Sequence, residues 1–267
     1  MGKLVRYEFD NGLAVVTLDN PPVNSLTVDM SNELRTVFEE LRDFGTEDTG
    51  DEKKQVQAVI LNAVSKKNVF VAGADINLFL NLKTREDGLN LLQFYHGVFN
   101  AIAEFPSPVI CAIEGLALGG GTELALACDI RIAGAKATFA LTEVTLGVLP
   151  GGGGTQRLSR LVGAGYAKKM IFSGQQIDAE EALRIGLVEQ VVPQGQALLE
   201  ARKLAHTILQ NAPTAIRCAK KAIDGGLDAT LANGLLLEQE AMGRICESGE
   251  PIEGGKAFLE KRKPKFG

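Results

Sequence analysis

The sequence predicts a mixed α/β protein of stacked sheet and helix layers, and three observations carry that expectation. Short apolar runs at 56–61 and 108–113 read as buried strands. Strand, strand and helix follow one another with drifting lengths, unlike the plain alternation of a simple α/β sheet, and without an exact sequence repeat. From Asp178 onward the pattern turns mainly helical.

Taken in order, residues 5–9 and 13–18 flank Asp10-Asn11-Gly12, and Asn-Gly accepts the positive φ values of a tight hairpin. Asn20-Pro21-Pro22-Val23-Asn24-Ser25 is a rigid loop, with Thr27 or Asp29 placed to cap a helix over 30–44. The polar stretch 45–55 reads as a solvated surface loop. The strand 56–61 follows, and a second strand within 69–75 ends on the small residues Ala72-Gly73-Ala74. A helix over 85–104 precedes the strand 108–113, strands at 130–133 and 138–141 come next, and another helix begins near Thr155. Further helices are expected over 180–185, 195–211, 214–225, 229–248 and 252–261. Leu231, Leu235, Met242 and Ile245 fall at helical spacing, an apolar stripe best used in subunit association.

Composition narrows the function classes. With 267 residues and 45% hydrophobic content the chain can bury a full-sized core. A net charge of −5 offers nucleic acid and anionic lipid no general attraction, so neither is an expected partner. The basic run Lys261-Arg262-Lys263-Pro264-Lys265 is the local exception. Cys111, Cys128, Cys218 and Cys246 lack metal spacing and read as buried free thiols, and His96 and His206 have no spaced partner, so no metal site is expected. No apolar run is long enough to span a membrane and no hydrophobic signal core stands at the start, which points to a cytoplasmic or matrix protein.

Two glycine-rich motifs carry the chemistry. Gly119-Gly120-Gly121-Thr122-Glu123 opens a helix whose unpaired N–H groups suit an anion or a developing oxyanion. Its acid stands beside the apolar run Leu124-Ala125-Leu126-Ala127. The second motif runs from Thr142-Glu143 through Pro150 and four glycines to Thr155, again with a lone acid in apolar surroundings. Strands returning between the motifs let Glu123 and Glu143 converge on one pocket. Two carboxyls among apolar groups, with N–H groups at helix starts, suit acid–base chemistry next to a carbonyl.

With these stretches in hand, the chain resembles the enoyl-CoA hydratase/isomerase (crotonase) family over essentially its whole length. The match is carried by Asn20-Pro21-Pro22-Val23-Asn24, Ala72-Gly73-Ala74-Asp75-Ile76, the 115–129 and 143–156 segments, and the ending Ala257-Phe258-Leu259-Glu260-Lys261-Arg262-Lys263. The resemblance implies a crotonase-like spiral of ββα turns with a C-terminal helical trimerisation region, divided as a core carrying the acyl-CoA site over 1–195 and an oligomerisation region over 196–267. It implies a homotrimer or a hexamer built as a dimer of trimers. It further implies Glu123 and Glu143 as the acid–base pair, the N–H groups of Ala74 and Gly120 as an oxyanion hole, and Gly151 as a water-positioning residue. Ala72, Gly73, Asp75 and Ile76 match the acyl-CoA surface, Asn24 and Leu26 lie near its pantetheine and adenine end, and Phe258 and Lys261 are assigned to coenzyme A binding. No cofactor is expected, because coenzyme A is part of the thioester substrate.

The implied activity is reversible syn addition of water to a 2-enoyl-CoA, giving a 3-hydroxyacyl-CoA, with Glu143 protonating C2 and Glu123 activating water. A Δ3,Δ2-enoyl-CoA isomerase is the nearest alternative, but such relatives commonly keep one acid. A hydratase acting on a cyclic dienoyl-CoA is another. A serine peptidase is excluded because Thr122 holds the helix start and no histidine stands near a suitable loop. A phosphate-binding loop is excluded because no Gly-Lys-Ser/Thr follows the glycines. Both acids and the overall acidity argue against a catalytically silent or RNA-binding member.

Overall fold

The chain opens with the expected hairpin: β1 (Val5–Asp10) pairs antiparallel with β2 (Leu13–Leu18), and Asn11 and Gly12 take φ of 46° and 85°. The structure, a computed structural model, describes residues 3–43, 55–64 and 67–266. The expected 45–55 loop, apart from Gln55, lies outside them, as does the end of the 30–44 helix at Phe44. That helix, α1 (Val28–Asp43), is capped by Thr27, whose hydroxyl accepts the Met30 N–H at 3.2 Å.

Three successive strand–strand–helix turns follow. The first is β3 (Ala58–Ala63), β4 (Val69–Val71) and α2 (Arg85–Ala103). The second is β5 (Val109–Ile113), β6 (Leu116–Leu118) and α3 (Gly120–Leu126). The third is β7 (Ile130–Gly134), β8 (Thr138–Ala140) and α4 (Gly154–Ser173). Then come β9 (Ile177–Asp178), α5 (Ala179–Arg184) and β10 (Gln190–Val192). Among the described residues the first strand of each turn joins one sheet, ordered β1-β2-β3-β5-β7-β10, and the second strand joins another, ordered β4-β6-β8-β9. Each turn therefore advances both layers by one parallel strand, which is the ββα spiral. β6, β9 and β10 span two or three residues, too short to show a period, and the sequence reading missed them.

The central strands of the larger sheet are buried on both faces, so β5 reads as an unbroken apolar run and β3 as one up to Asn62. Val16, Leu18, Val59 and Leu61 face α1, α2 and the smaller sheet. Ile60, Ile110, Ala112 and Ile132 face α6 (Ala197–Ile208), which packs with Ala197, Ala201 and Ala205, one small residue per turn. Thus α6 belongs to the body of the sheet although it lies beyond residue 195.

The remaining helices behave differently. α7 (Pro213–Leu227) and α8 (Leu231–Ser248) pack on each other and bury no residue fully, and α9 (Glu250–Leu259) follows them. Leu231, Leu235 and Met242 of the expected stripe are exposed. Cys246 is exposed and Cys218 half-buried, which corrects the expectation of four buried thiols: α8 meets little of the body that could cover it. No helix among the described residues is long and apolar enough to cross a membrane.

Asn24 shows how the 20–25 loop is held beneath the smaller sheet. It is 1% exposed with φ 53°. Its Oδ1 accepts the Asn20 N–H at 2.7 Å, and its Nδ2 donates to the carbonyls of Val64 and Phe70, both at 3.0 Å. Replacing Asn24 with Ala removes all three bonds and strands buried partners, so Asn24→Ala is expected to lose roughly 2–4 kcal/mol in chemical denaturation. A loss below about 0.5 kcal/mol, within the range of an ordinary surface change, would show that other contacts hold the loop.

Candidate active site

Each residue of the first glycine motif has a physical job. Gly119 joins β6 to α3 with φ 53° and ψ −120°, a conformation only glycine adopts without strain. Gly121 presses on β4 so closely that a Cβ there would stand 2.2 Å from the Val71 carbonyl oxygen. Thr122 is fully buried and its hydroxyl donates to the carbonyls of Ala117 and Ala140 at 2.8 and 3.0 Å, tying α3 to β6 and β8. This anchoring turns Glu123 inward, where it is 4% exposed.

The second motif meets that carboxyl from the other side. Glu123 Oε1 accepts the Gly154 N–H at 2.7 Å, and the Gly152 N–H also donates to the group. A Cβ on Gly152 would sit 2.7 Å from Glu123 Oε2, and one on Gly154 would sit 2.8 Å from Oε1, so these glycines are what lets the loop close over the acid. Arg157 holds the loop in turn, donating to the Gly152 carbonyl at 3.0 Å and to Asn100 Oδ1 at 2.7 Å. Glu143 begins a short 3-10 turn (Glu143–Leu146), two residues beyond the expected strand 138–141. It is 8% exposed, its Oε1 lies against the Gly119 backbone, and its buried Oε2 has no protein partner.

Both acids line one cavity of about 400 Å³. Its walls are otherwise largely apolar: Leu91, Leu92, Tyr95 and Phe99 from α2, and Val148 and Leu149 from the loop before α4. Ala74 and Gly120 meet on the opposite wall. A Cβ on Gly120 would stand 3.4 Å from the Ala74 nitrogen, and among the described residues neither N–H is taken by a protein acceptor. The cavity therefore joins two backbone donors to two carboxyls in a setting of low polarity.

That setting shifts both acids. Burial, and then the charge of Glu143, push the Glu123 carboxyl up to about 8, against the pull of the two glycine N–H groups and of Arg157. Burial alone raises Glu143. Backbone donors oppose both shifts: the Gly154 and Gly152 N–H groups favour the charged form of Glu123, and the Glu143 N–H favours its own carboxylate. Both carboxyls therefore hold their protons to higher pH than a free glutamate does.

Ala72, Gly73, Ala74, Ile76, Gly120, Glu123, Glu143 and Gly151 of the sequence-predicted site all line the cavity. Five others do not. Asn24 is spent inside the fold, Leu26 is fully buried behind the Gly120 wall, and the Asp75 carboxylate caps the 3-10 turn Ile76–Asn81 through the Asn77 N–H at 3.0 Å. Phe258 is 83% exposed on α9 and Lys261 follows it, away from this chain's cavity lining. Gly151 faces the cavity, but the N–H groups that reach Glu123 are those of Gly152 and Gly154. The sequence reading also missed Leu92, Tyr95 and Phe99. The stripe they form on α2, at intervals of three and four residues, was the available signal.

The family model for enoyl-CoA hydratase/isomerase matches residues 8–267. A short-chain-enoyl-CoA hydratase of Clostridium acetobutylicum is 42% identical over 260 residues, 97% of this chain and 95% of that one. Among solved structures, the enoyl-CoA hydratase from Bacillus anthracis superposes with a TM-score of 0.89 at 36% identity, covering 98% of each chain. DspI from Pseudomonas aeruginosa gives 0.90 at 38% identity, over 100% of this chain and 97% of its own.

The raised carboxyl has a defined pH signature. Between the ordinary value of 4.5 and about 8 the folded chain keeps a proton on Glu123 that the unfolded chain releases, so this group's contribution to stability falls as pH rises through that window. Thermal unfolding from pH 5 to 9 is expected to show Glu123→Gln gaining on the parent as pH rises. A stability difference that stays flat across the window would mean that Glu123 titrates normally. In Glu143→Gln the infrared carboxylic-acid band of Glu123 should titrate at lower pH than in the parent, because one of its two causes is gone, yet still above 4.5 because burial remains.

Proposed function

The chain belongs to the enoyl-CoA hydratase/isomerase family, and from that premise we propose that it hydrates 2-enoyl-CoA thioesters to 3-hydroxyacyl-CoA. One observation carries the reading: Glu123 and Glu143 are both buried on a single apolar cavity whose wall presents the free N–H groups of Ala74 and Gly120. The two N–H groups receive the thioester oxygen and hold the negative charge that moves onto it as water attacks C3. Losing one such donor costs roughly 10²–10³ in rate. Water gives a proton to Glu123 in its ionised form, which the Gly154 N–H favours and which grows as pH rises toward about 8. The electron pair of the C2–C3 double bond passes to the enolate, which recovers the carbonyl as C2 takes the proton of Glu143. Gly151, which also lines the cavity, supplies an N–H for the water.

The proton balance fits the pair. One acid must begin charged and the other neutral; a forward turnover leaves the proton on Glu123, and it returns to Glu143, directly or through solvent, before the next. An isomerase needs only one acid to carry a proton between C2 and C4, so the second buried carboxyl favours hydration. We expect Glu143→Gln to cut hydration by at least about a hundredfold with the fold and acyl-CoA binding intact, and Glu123→Gln to be similarly damaging. The measurement is loss of the conjugated thioester absorbance over straight-chain, branched and cyclic enoyl-CoA substrates. A loss of only a few-fold in Glu143→Gln would remove that acid from the mechanism. Isomerisation surviving where hydration dies would favour the isomerase.

The helical region supports assembly into a homotrimer or hexamer. α7 and α8 bury none of their residues fully, and Leu231, Leu236, Phe258 and Leu259 are exposed. In that arrangement Phe258 and Lys261 serve the coenzyme A bound by a neighbouring copy. Sedimentation should give three or six times 28.5 kDa, and a stable monomer at micromolar concentration would rule the assembly out. Removing residues 258–267 should weaken binding of a full CoA thioester more than that of its pantetheine ester. Equal weakening would take the phosphates out of the contact.

A further inference from the structure

The geometry points to Tyr95 as a positioning residue for the Ala74 oxyanion donor, acting through Leu26. This rests on the reading that Ala74 and Gly120 receive the thioester oxygen. The Ala74 N–H and the Gly73 carbonyl belong to one planar peptide unit, so whatever fixes the carbonyl aims the N–H. The Gly73 oxygen accepts the Leu26 N–H at 2.8 Å. That bond also polarises the N–H at the far end of the unit. Leu26 is pinned in turn: its own carbonyl accepts the buried Tyr95 hydroxyl at 2.9 Å. Its Cδ1 lies 3.1 Å from where a Cβ on Gly120 would stand, so the same side chain spaces one donor from the other.

The Gly120 donor does not depend on such an arrangement. Its peptide carbonyl, that of Gly119, accepts the Glu123 N–H at 3.1 Å, a bond of α3 itself. Ala74 lies outside any helix or named strand and meets Leu26 only as an isolated bridge. It therefore takes its orientation from tertiary contacts, and Tyr95 stands at the end of that chain. The Tyr95 ring is set by Phe94 and Phe99, with centroids 5.2 and 6.0 Å away. Burial, with the charges of Asp75 and Glu123, keeps the phenol protonated as a donor.

Tyr95→Phe keeps the ring and removes only the hydroxyl. It is expected to lower kcat for enoyl-CoA hydration about tenfold, part of the roughly 10²–10³ that a whole donor is worth, with KM changed less than about twofold because uniform binding is untouched. The carbonyl stretch of bound [1-13C]butyryl-CoA, a saturated probe that cannot be hydrated, should move back toward its value in water, which a purely structural hydroxyl would not cause. An unchanged stretch, an unchanged kcat, or a raised KM with kcat intact would each overturn the assignment, as would a fall in thermal stability with neither kinetic nor spectral change. If the parent protein hydrates no enoyl-CoA, the hydratase reading fails, and the butyryl-CoA stretch still tests Tyr95.

Discussion

The site depends on a contact between backbones. At the start of α3 the chain runs so close to the end of β4 that side chains have no room: a Cβ on Gly121 would meet the Val71 oxygen at 2.2 Å, and one on Gly73 would meet the Leu118 oxygen at 2.9 Å. Only this approach lets two peptide N–H groups from different turns of the spiral open on one wall. The spiral makes it possible, because β4 and β6 are parallel neighbours in the smaller sheet and each leads directly into its turn's site segment. The stagger between successive ββα turns thus becomes the spacing between two hydrogen-bond donors.

Burying two acids beside those donors is unfavourable unless each ionised form finds compensation. Glu123 finds it in the Gly152 and Gly154 N–H groups, and the loop that carries them is held by Arg157. Glu143 has less: one oxygen against the Gly119 backbone and one without a protein partner. That asymmetry gives two like residues different surroundings. Burial and the charge of Glu143 outweigh the fixed donors of Glu123 and push its carboxyl up to about 8. Glu143 is raised by burial, with one buried oxygen that meets no protein donor.

What the sequence made legible divides along the same physical line. Glycines required by close approach or by positive φ leave a visible mark, so the 119–123 and 142–155 segments of the sequence already mark the glycines and the two acids that line the cavity. The hairpin was legible for the same reason. Side chains that shape the cavity left no such mark: Leu92, Tyr95 and Phe99 lie on a stripe of α2 that any core-facing helix would show. Asn24 misled in the opposite direction. A buried Asn at positive φ, with every hydrogen bond spent on the fold, sits in a motif as distinctive as a binding residue does, yet its work is to hold the loop that carries Leu26. Five strands of the described residues span only two or three positions, and β6, β9 and β10 among them were not legible; their pairing comes from the strands beside them.

α3 shows how far the support for the site extends. Seven residues are too few for a helix to stand on its own propensity. Its first turn is tied down by Thr122, and the buried guanidinium of Arg131 donates to the Ala125 carbonyl in its last turn at 3.5 Å and to the Cys128 carbonyl just past its end at 2.7 Å. A cation at that end also complements the helix dipole. The charge of Arg131 is matched by Glu189 at 2.6 Å, beside β10, so the last strand of the larger sheet helps to fix the helix that carries Glu123. Immediately after α3, Asp129 accepts the Val109 N–H and pairs with Lys220 of α7, both at 2.7 Å. The loosely covered helical region is therefore joined to the rear of the site helix by a partly buried ion pair. A displacement of α7 strains that pair against β5, whereas the front of α3 is locked by glycine contacts with no slack. Support from the C-terminal helices thus reaches the site as a constraint on the rear of α3, and the donors and the acid at its front are spared direct contact with an exposed surface.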